Sequence, residues 1–371
     1  MRVLVTGGAG FIGSFVVDRL VERGHQVRVF DALVNPVHAD SRTPPAYLNR
    51  AAEFIAGDVR DADALEKALA GIDAVVHNAA LVGVGQSQYR IAPYMSANVD
   101  GTATLFDLIV NRRTRVNRIV VAGSMSSYGE GEARCPEHGV FSPSARTEAQ
   151  LQQRKWEICC PLCGEPSVPV PTSENRVLNP LSVYALSKKV QEELALTVGR
   201  TFGLPVTVAR LFNVYGPRQS LNNPYTGIMA IFMSRLLNGG RPTIYEDGRQ
   251  LRDFVYVGDV ANAFVKLLEA PPAEPTVVNI GTGKPTSVLE LAQLLIDHAA
   301  PDRQAEILGR YRRGDIRHCY ADVAQARRLG IEVKTAPHAA IPEIAAWAAS
   351  LSSTDQFSTA QRELIEHGLL V

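Results

Sequence analysis

Neither charge is in excess. The 371-residue chain sets 38 lysines and arginines against 38 aspartates and glutamates, so no net field draws it to nucleic acid or to an acidic membrane surface. An anion site must therefore be built locally. No apolar run reaches the roughly 18 residues of a membrane-crossing helix, and the opening Met1-Arg2-Val3-Leu4-Val5 enters a strand without the stretches of a secretory leader. A cytoplasmic location, with neither membrane nor nucleic acid as partner, is expected. Cysteine is scarce as well. Of five, Cys135, Cys159, Cys160 and Cys163 fall in one short stretch and Cys319 stands apart, unlike a secreted disulfide framework. Clustered thiols in a reducing compartment suggest metal instead.

What is present is alternation. Short β-branched runs at 3–5, 26–30, 74–77, 119–122, 207–210 and 277–280 are separated by helical periods at 13–23, 61–70, 101–111 and 184–202. This order predicts an α/β fold with a doubly wound parallel sheet of the Rossmann type. Further helices at 227–238, 259–269, 287–298 and 324–329 suit a smaller α/β lobe interleaved with it. Residues 130–179 lose periodicity and turn to Pro, Cys, Ser, Glu and Arg, too long a stretch for an ordinary loop. The expected division is a dinucleotide domain of 1–129, 180–212 and 254–281, an insertion at 130–179, a substrate lobe of 213–253 and 282–350, and a peripheral tail at 351–371.

Gly7, Gly10 and Gly13, with Phe11 and Ile12 between the last two, lie where the first strand turns into the first helix. Glycines there let backbone approach a pyrophosphate at a helix N-terminus. Asp31 closes the second strand about 20 residues on, where a carboxylate accepts from ribose hydroxyls and repels a 2′-phosphate, favouring NAD over NADP. Asp58 and Val59 suit the adenine edge, and Ala79 and Ala80 supply small residues beside the cofactor. Tyr184 and Lys188, four apart on one helix, share a face. An ammonium and a positive nicotinamide ring would favour the phenolate of a tyrosine whose ordinary pKa is about 10. The run 120–129 brings Ser124 and Ser126 to the carboxyl edge of the sheet, with Ser124 as partner of the reacting hydroxyl.

Together with Asn98-Val99-Asp100-Gly101-Thr102, the run 210–218, Arg252-Asp253-Phe254 and Arg312-Arg313-Gly314-Asp315, these motifs resemble the extended short-chain dehydrogenase/reductases, in particular the NAD-dependent nucleotide-sugar epimerase/dehydratase family. The resemblance implies that Asn213, Arg252 and Arg312 reach a substrate diphosphate, that Arg218 and Asp315 join them in substrate binding, that Asn98 serves the cofactor site, and that the enzyme is a homodimer. Sugar 4,6-dehydratases resemble one another in carrying Thr-Asp-Glu where this chain has Ser124-Met125-Ser126, and the decarboxylases keep a glutamate. Without those carboxylates the expected reaction is 4-epimerisation of a nucleotide-diphosphate sugar. The run 222–227 and the insertion resemble those of bacterial epimerases that act on dTDP-6-deoxyhexoses, which implies a substrate such as dTDP-L-rhamnose. UDP-glucose/UDP-galactose epimerisation, 4-ketosugar reduction and non-catalytic NAD sensing stand as alternatives.

In the insertion, Cys135 with His138 and Cys160 with Cys163 form two half-sites of two-residue spacing, the pattern of a closed, structural zinc site. Cys159 is the alternative to His138.

Overall fold

Runs of valine and isoleucine without polar alternation are stable only where helices cover both faces of a sheet, and this is where the chain places them. The computed structural model describes residues 1–371 except 36, 39–42, 113, 226 and 352–354. Strands β1 (Arg2–Thr6), β2 (Gln26–Asp31), β3 (Glu53–Ala56), β4 (Ala74–His77), β5 (Arg118–Ser124), β6 (Val206–Leu211) and β7 (Thr276–Ile280) form one sheet in the order β7-β6-β5-β4-β1-β2-β3. Every pairing is parallel. Strand order reverses between β1 and β4, and such a reversal opens a crevice at the carboxyl ends of the strands.

Successive residues of β1 serve opposite faces, as the period of two requires. Val3 and Val5 pack with Val16, Val17 and Leu20 of α1 (Phe11–Glu22). Leu4 packs with Leu65 of α2 (Ala62–Leu69), Leu105 and Phe106 of α3 (Gly101–Asn111), and Leu196 of α4 (Val183–Phe202). Local signals set the helix ends: the Asp61 carboxylate accepts from Ala64 N–H at 3.1 Å, and Ser182 Oγ accepts from Ala185 N–H at 3.1 Å, each satisfying an orphan donor of the first turn.

The smaller lobe has its own core, in which α5 (Ile228–Leu237), α7 (Val288–Ala299) and α8 (Pro337–Ala349) join Met233, Leu291, Leu295, Ile341 and Ile344. Between them in the chain, α6 (Val257–Glu269) returns to cover the main sheet with Phe264 and Leu268. The insertion folds as a small antiparallel sheet of Ala133–Cys135, Gly139–Phe141 and Val168–Pro169 with a short helix at Glu148–Gln152. The tail forms a further helix, α9 (Phe357–Glu366). Among the described residues no helix is long and apolar enough to cross a membrane.

Candidate active site

One cavity of about 800 Å³ runs from the glycine loop to Arg312. At the dinucleotide end Gly7, Gly10, Phe11, Ile12, Asp31, Asp58, Val59, Ala79 and Ala80 line it. Gly7 has φ +67°, and a Cβ there would stand 2.7 Å from the Ala79 nitrogen. Gly13 differs in place and purpose: it is not among the lining residues, and a Cβ on it would come 2.1 Å from the Gly7 carbonyl oxygen. It lets the helix pack on the loop. The Asp31 carboxylate accepts from the backbone N–H of Ala9 at 3.0 Å and of Leu33 at 2.9 Å, which fixes it at the lip of the cavity. Beside it burial pulls the His38 ring below its ordinary pKa. The Asp58 carboxylate accepts from Arg60 Nε at 2.9 Å. Asn98 lies behind the wall. Its amide accepts from Leu81 N–H at 2.8 Å and donates to the Leu81 carbonyl at 3.0 Å and to Ser187 Oγ at 2.9 Å, clamping the cavity loop to α4 rather than facing the cavity.

Midway along the cavity stand Ser124, Ser126, Tyr184 and Lys188. Ser124 ends β5, and its hydroxyl lies 2.8 Å from that of Ser126. Burial raises the Tyr184 pKa, and a hydrogen bond with Ser124 opposes the shift. Lys188 is pulled down to about 7 by burial, against the Glu192 carboxylate. Its ammonium donates to Gln191 Oε1. Gln191 donates onward to Thr102 Oγ1 at 2.8 Å, and His77, lowered to about 3 by burial and so neutral, holds Thr102 at 3.0 Å. This chain of buried polar groups aims Lys188 into the cavity.

At the far end Asn213, Arg252, Arg312 and Asp315 line the wall. Arg252 is braced by the carbonyls of Leu251, Arg317 and Ile316 at 2.8, 2.9 and 2.6 Å. Arg312 Nε donates to Asp315 at 2.8 Å, and its guanidinium lies 4.9 Å from the Tyr245 ring centre. Asn213 Oδ1 and Gln250 Oε1, on this wall, are buried with no partner among the described residues, and such atoms call for a ligand or water. Arg218 departs from expectation. It turns away from the cavity, pairs with Asp18 at 2.7 Å and covers the Phe15 ring at 4.3 Å, held so by a left-handed backbone at φ +66°. It ties α1 to the loop after β6.

Residues 3–149 and 161–281 match the model of the NAD dependent epimerase/dehydratase family. The chain belongs to that family. Among its relatives, dTDP-L-rhamnose 4-epimerase of Burkholderia thailandensis is 36% identical over 94% of this chain and 95% of its own length. The structure is similar to that of UDP-glucose 4-epimerase from Thermotoga maritima with UDP-glucose, with a TM-score of 0.77, 30% identity and coverage of 94% of this chain and 99% of the other. It is also similar to UDP-glucuronic acid 4-epimerase from Bacillus cereus in complex with UDP-glucuronic acid and NAD, with a TM-score of 0.77, 25% identity and coverage of 95% and 100%.

Two features lie partly or wholly outside the family match. The first is the cysteine cluster. Cys135 Sγ lies 3.5 Å from His138 Nδ1 and 3.7 Å from Cys163 Sγ, and Cys160 Sγ lies 3.5 Å from His138 Nδ1. All four ligand atoms fall within 4.8 Å of one another. Tetrahedral zinc, with bonds of about 2.3 Å to sulfur and about 2.0 Å to nitrogen, gives edges of about 3.5 to 3.8 Å, which these three separations match. Cys159 is exposed and has its Sγ 3.8 Å from the Glu157 carbonyl oxygen, outside the cluster.

The second is α9. Phe357, Ala360, Gln361 and Leu364 line the cavity, so the expectation of a peripheral tail is corrected. Sequence reasoning passed over the signal, since positions 357, 360 and 364 carry an apolar helical period. Tyr245, likewise on the cavity wall, carries no such signal, and Tyr225, also there, enters the sequence reading only within the run 222–227. Of the run 222–227, Thr226 lies outside the described residues.

Proposed function

We propose that this protein is an NAD-dependent nucleotide-sugar 4-epimerase. The observation that carries the reading is the trio Ser124, Tyr184 and Lys188 at the middle of one cavity, with Met125 and Ser126 where a dehydratase would place an acid and a base. Bound NAD would supply reversible hydride transfer at carbon 4. Tyr184 takes the proton of the carbon-4 hydroxyl as the hydride leaves and returns it when the alcohol re-forms. Ser124 holds that hydroxyl in line. Burial favours the protonated phenol, and the positive cofactor ring together with Lys188 would draw it towards the phenolate. Arg252 and Arg312, with Asn213, hold the diphosphate while the keto-sugar turns over and presents its other face. Asp31 selects NAD by its charge at the adenosine ribose.

The substrate we infer is a dTDP-6-deoxyhexose such as dTDP-L-rhamnose, supported by the Burkholderia relative. UDP-glucose is the second reading, favoured by the likeness to the Thermotoga enzyme. We infer further that the insertion carries one structural zinc on Cys135, His138, Cys160 and Cys163, and that the enzyme works as a cytoplasmic homodimer. Incubating purified protein with dTDP-L-rhamnose, UDP-glucose and UDP-galactose and following the sugar signals by NMR tests the activity. Conversion of one of them to its 4-epimer without net NADH is expected, and no conversion of any contradicts it.

A further inference from the structure

The helix α9 is tied to both ends of the substrate half of the cavity. At its start the Phe357 ring stacks near Tyr245 with centres 6.4 Å apart and takes the Arg235 guanidinium at 4.3 Å, and Tyr245 in turn carries Arg312. Near its end Leu364 packs on Gly85, where a Cβ would meet Leu364 Cδ2 at 3.1 Å. Two residues on, Ser87 Oγ accepts the backbone N–H of Tyr184 at 3.0 Å. The helix therefore runs from the anion-binding arginines to the neighbourhood of the catalytic tyrosine, about 15 Å for ten residues. Positions 357, 360, 361 and 364 share one face and look into the cavity.

One carboxylate fastens this helix. Glu363 accepts a hydrogen bond from Tyr89 at 2.6 Å and another from Tyr225, and the Tyr89 ring stacks on His367 at 4.2 Å. Those phenols reach α9 from segments 274 and 138 residues away in sequence.

We propose that α9 is the specificity wall of the substrate half, contacting the hexose of a nucleoside-diphosphate sugar, and that Glu363 latches it closed. The inference rests on the nucleotide-sugar reading above. The cavity face of α9 offers Phe357, Ala360, Leu364 and one carboxamide, Gln361, while Arg362 points to solvent. Such a face accepts ring hydrogens or a methyl group and one hydroxyl, and gives no cation to a hexuronate carboxylate.

The test compares wild type with Glu363→Ala, Tyr225→Phe, Gln361→Ala and Gln361→Arg on dTDP-L-rhamnose, UDP-glucose and UDP-glucuronate, with NAD affinity measured beside the kinetics. Glu363→Ala removes both phenol contacts and should raise KM at least about tenfold, with NAD affinity unchanged. Tyr225→Phe should raise it less, and Gln361→Arg should raise the use of UDP-glucuronate relative to UDP-glucose. Hydrogen exchange gives a readout free of turnover: 357–366 should gain protection with UDP-glucose or dTDP-L-rhamnose and not with NAD alone. Unchanged KM and sugar preference in all four variants, or no protection of 357–366 by either sugar nucleotide, overturns the proposal. A wild type that epimerises none of the sugars yet is protected at 357–366 by them refutes the activity and leaves the wall standing.

Discussion

Arg146 of the insertion meets Glu246 of the cavity wall at 2.8 Å, the two side chains 3% and 2% exposed. Arg146 also pairs with Glu130 at 3.1 Å and donates to the carbonyl of Asp315 at 3.1 Å. Asp315 carries Arg312, and Arg317, wholly buried, links Glu246 to Glu157 of the insertion. The insertion is thus wired into the segment that carries Arg312 and Asp315 on the cavity wall.

Removing Arg146 takes the ion-pair partner from buried Glu130 and leaves Glu246 with Arg317 alone, and breaking a buried pair in this way costs about 3–5 kcal/mol. Arg146→Met should lower stability by that order in denaturant unfolding and weaken UDP binding, with NAD binding retained. Unchanged stability contradicts the network.

Elemental analysis of protein purified without chelator should find one zinc per chain. His138→Ala should lower that content, whereas Cys159→Ser should leave it alone, since its thiol lies outside the cluster. Metal-free, correctly folded and active protein would rule the site out.

Asp31→Ala should weaken NAD binding and lessen the discrimination against NADP, because the repelling charge at the ribose is gone. Titration of both cofactors into wild type and variant decides it. Equal wild-type affinity for the two would contradict the assignment.

Lys188 gives the cofactor-free enzyme a signature in pH. Its folded pKa of about 7 lies below the value of about 10.4 for an unfolded lysine. Between these values the unfolded chain binds a proton that the folded chain does not, so stability rises with pH across that window and the cost of burying the ammonium is fully present below it. Lys188→Met removes the cost, so the variant's advantage in melting temperature should shrink as pH rises from about 7 to about 9. An advantage that stays constant over this range contradicts the burial.

The sheet, the glycine loop and the Tyr184–Lys188 face were legible because local periods and caps dictate them. The strands expected at 74–77 and 119–122, for example, fall within Ala74–His77 and Arg118–Ser124. Contacts made over long separations were not. Arg218 looks like a substrate ligand in sequence, but its destination is set by Asp18, 200 residues away. Asn98 lies beside the cofactor motifs in sequence, while its amide is consumed by Leu81 and Ser187. The tail reads as peripheral in sequence because α9 is anchored by Tyr89 and Tyr225, whose pairing with Glu363 no spacing rule reveals.

The central claim is that the hydride removed from carbon 4 returns to carbon 4. Tyr184→Phe keeps the ring in its packing and deletes the proton carrier, so the rate should fall by the order of 10²- to 10⁴-fold typical of general acid/base groups. The decisive measurement uses the substrate deuterated at carbon 4, with unlabelled NADH added. The account predicts that the epimer keeps its deuterium at carbon 4 and that the NADH is not consumed. Deuterium released into free NADH, or found at carbon 6, would contradict it.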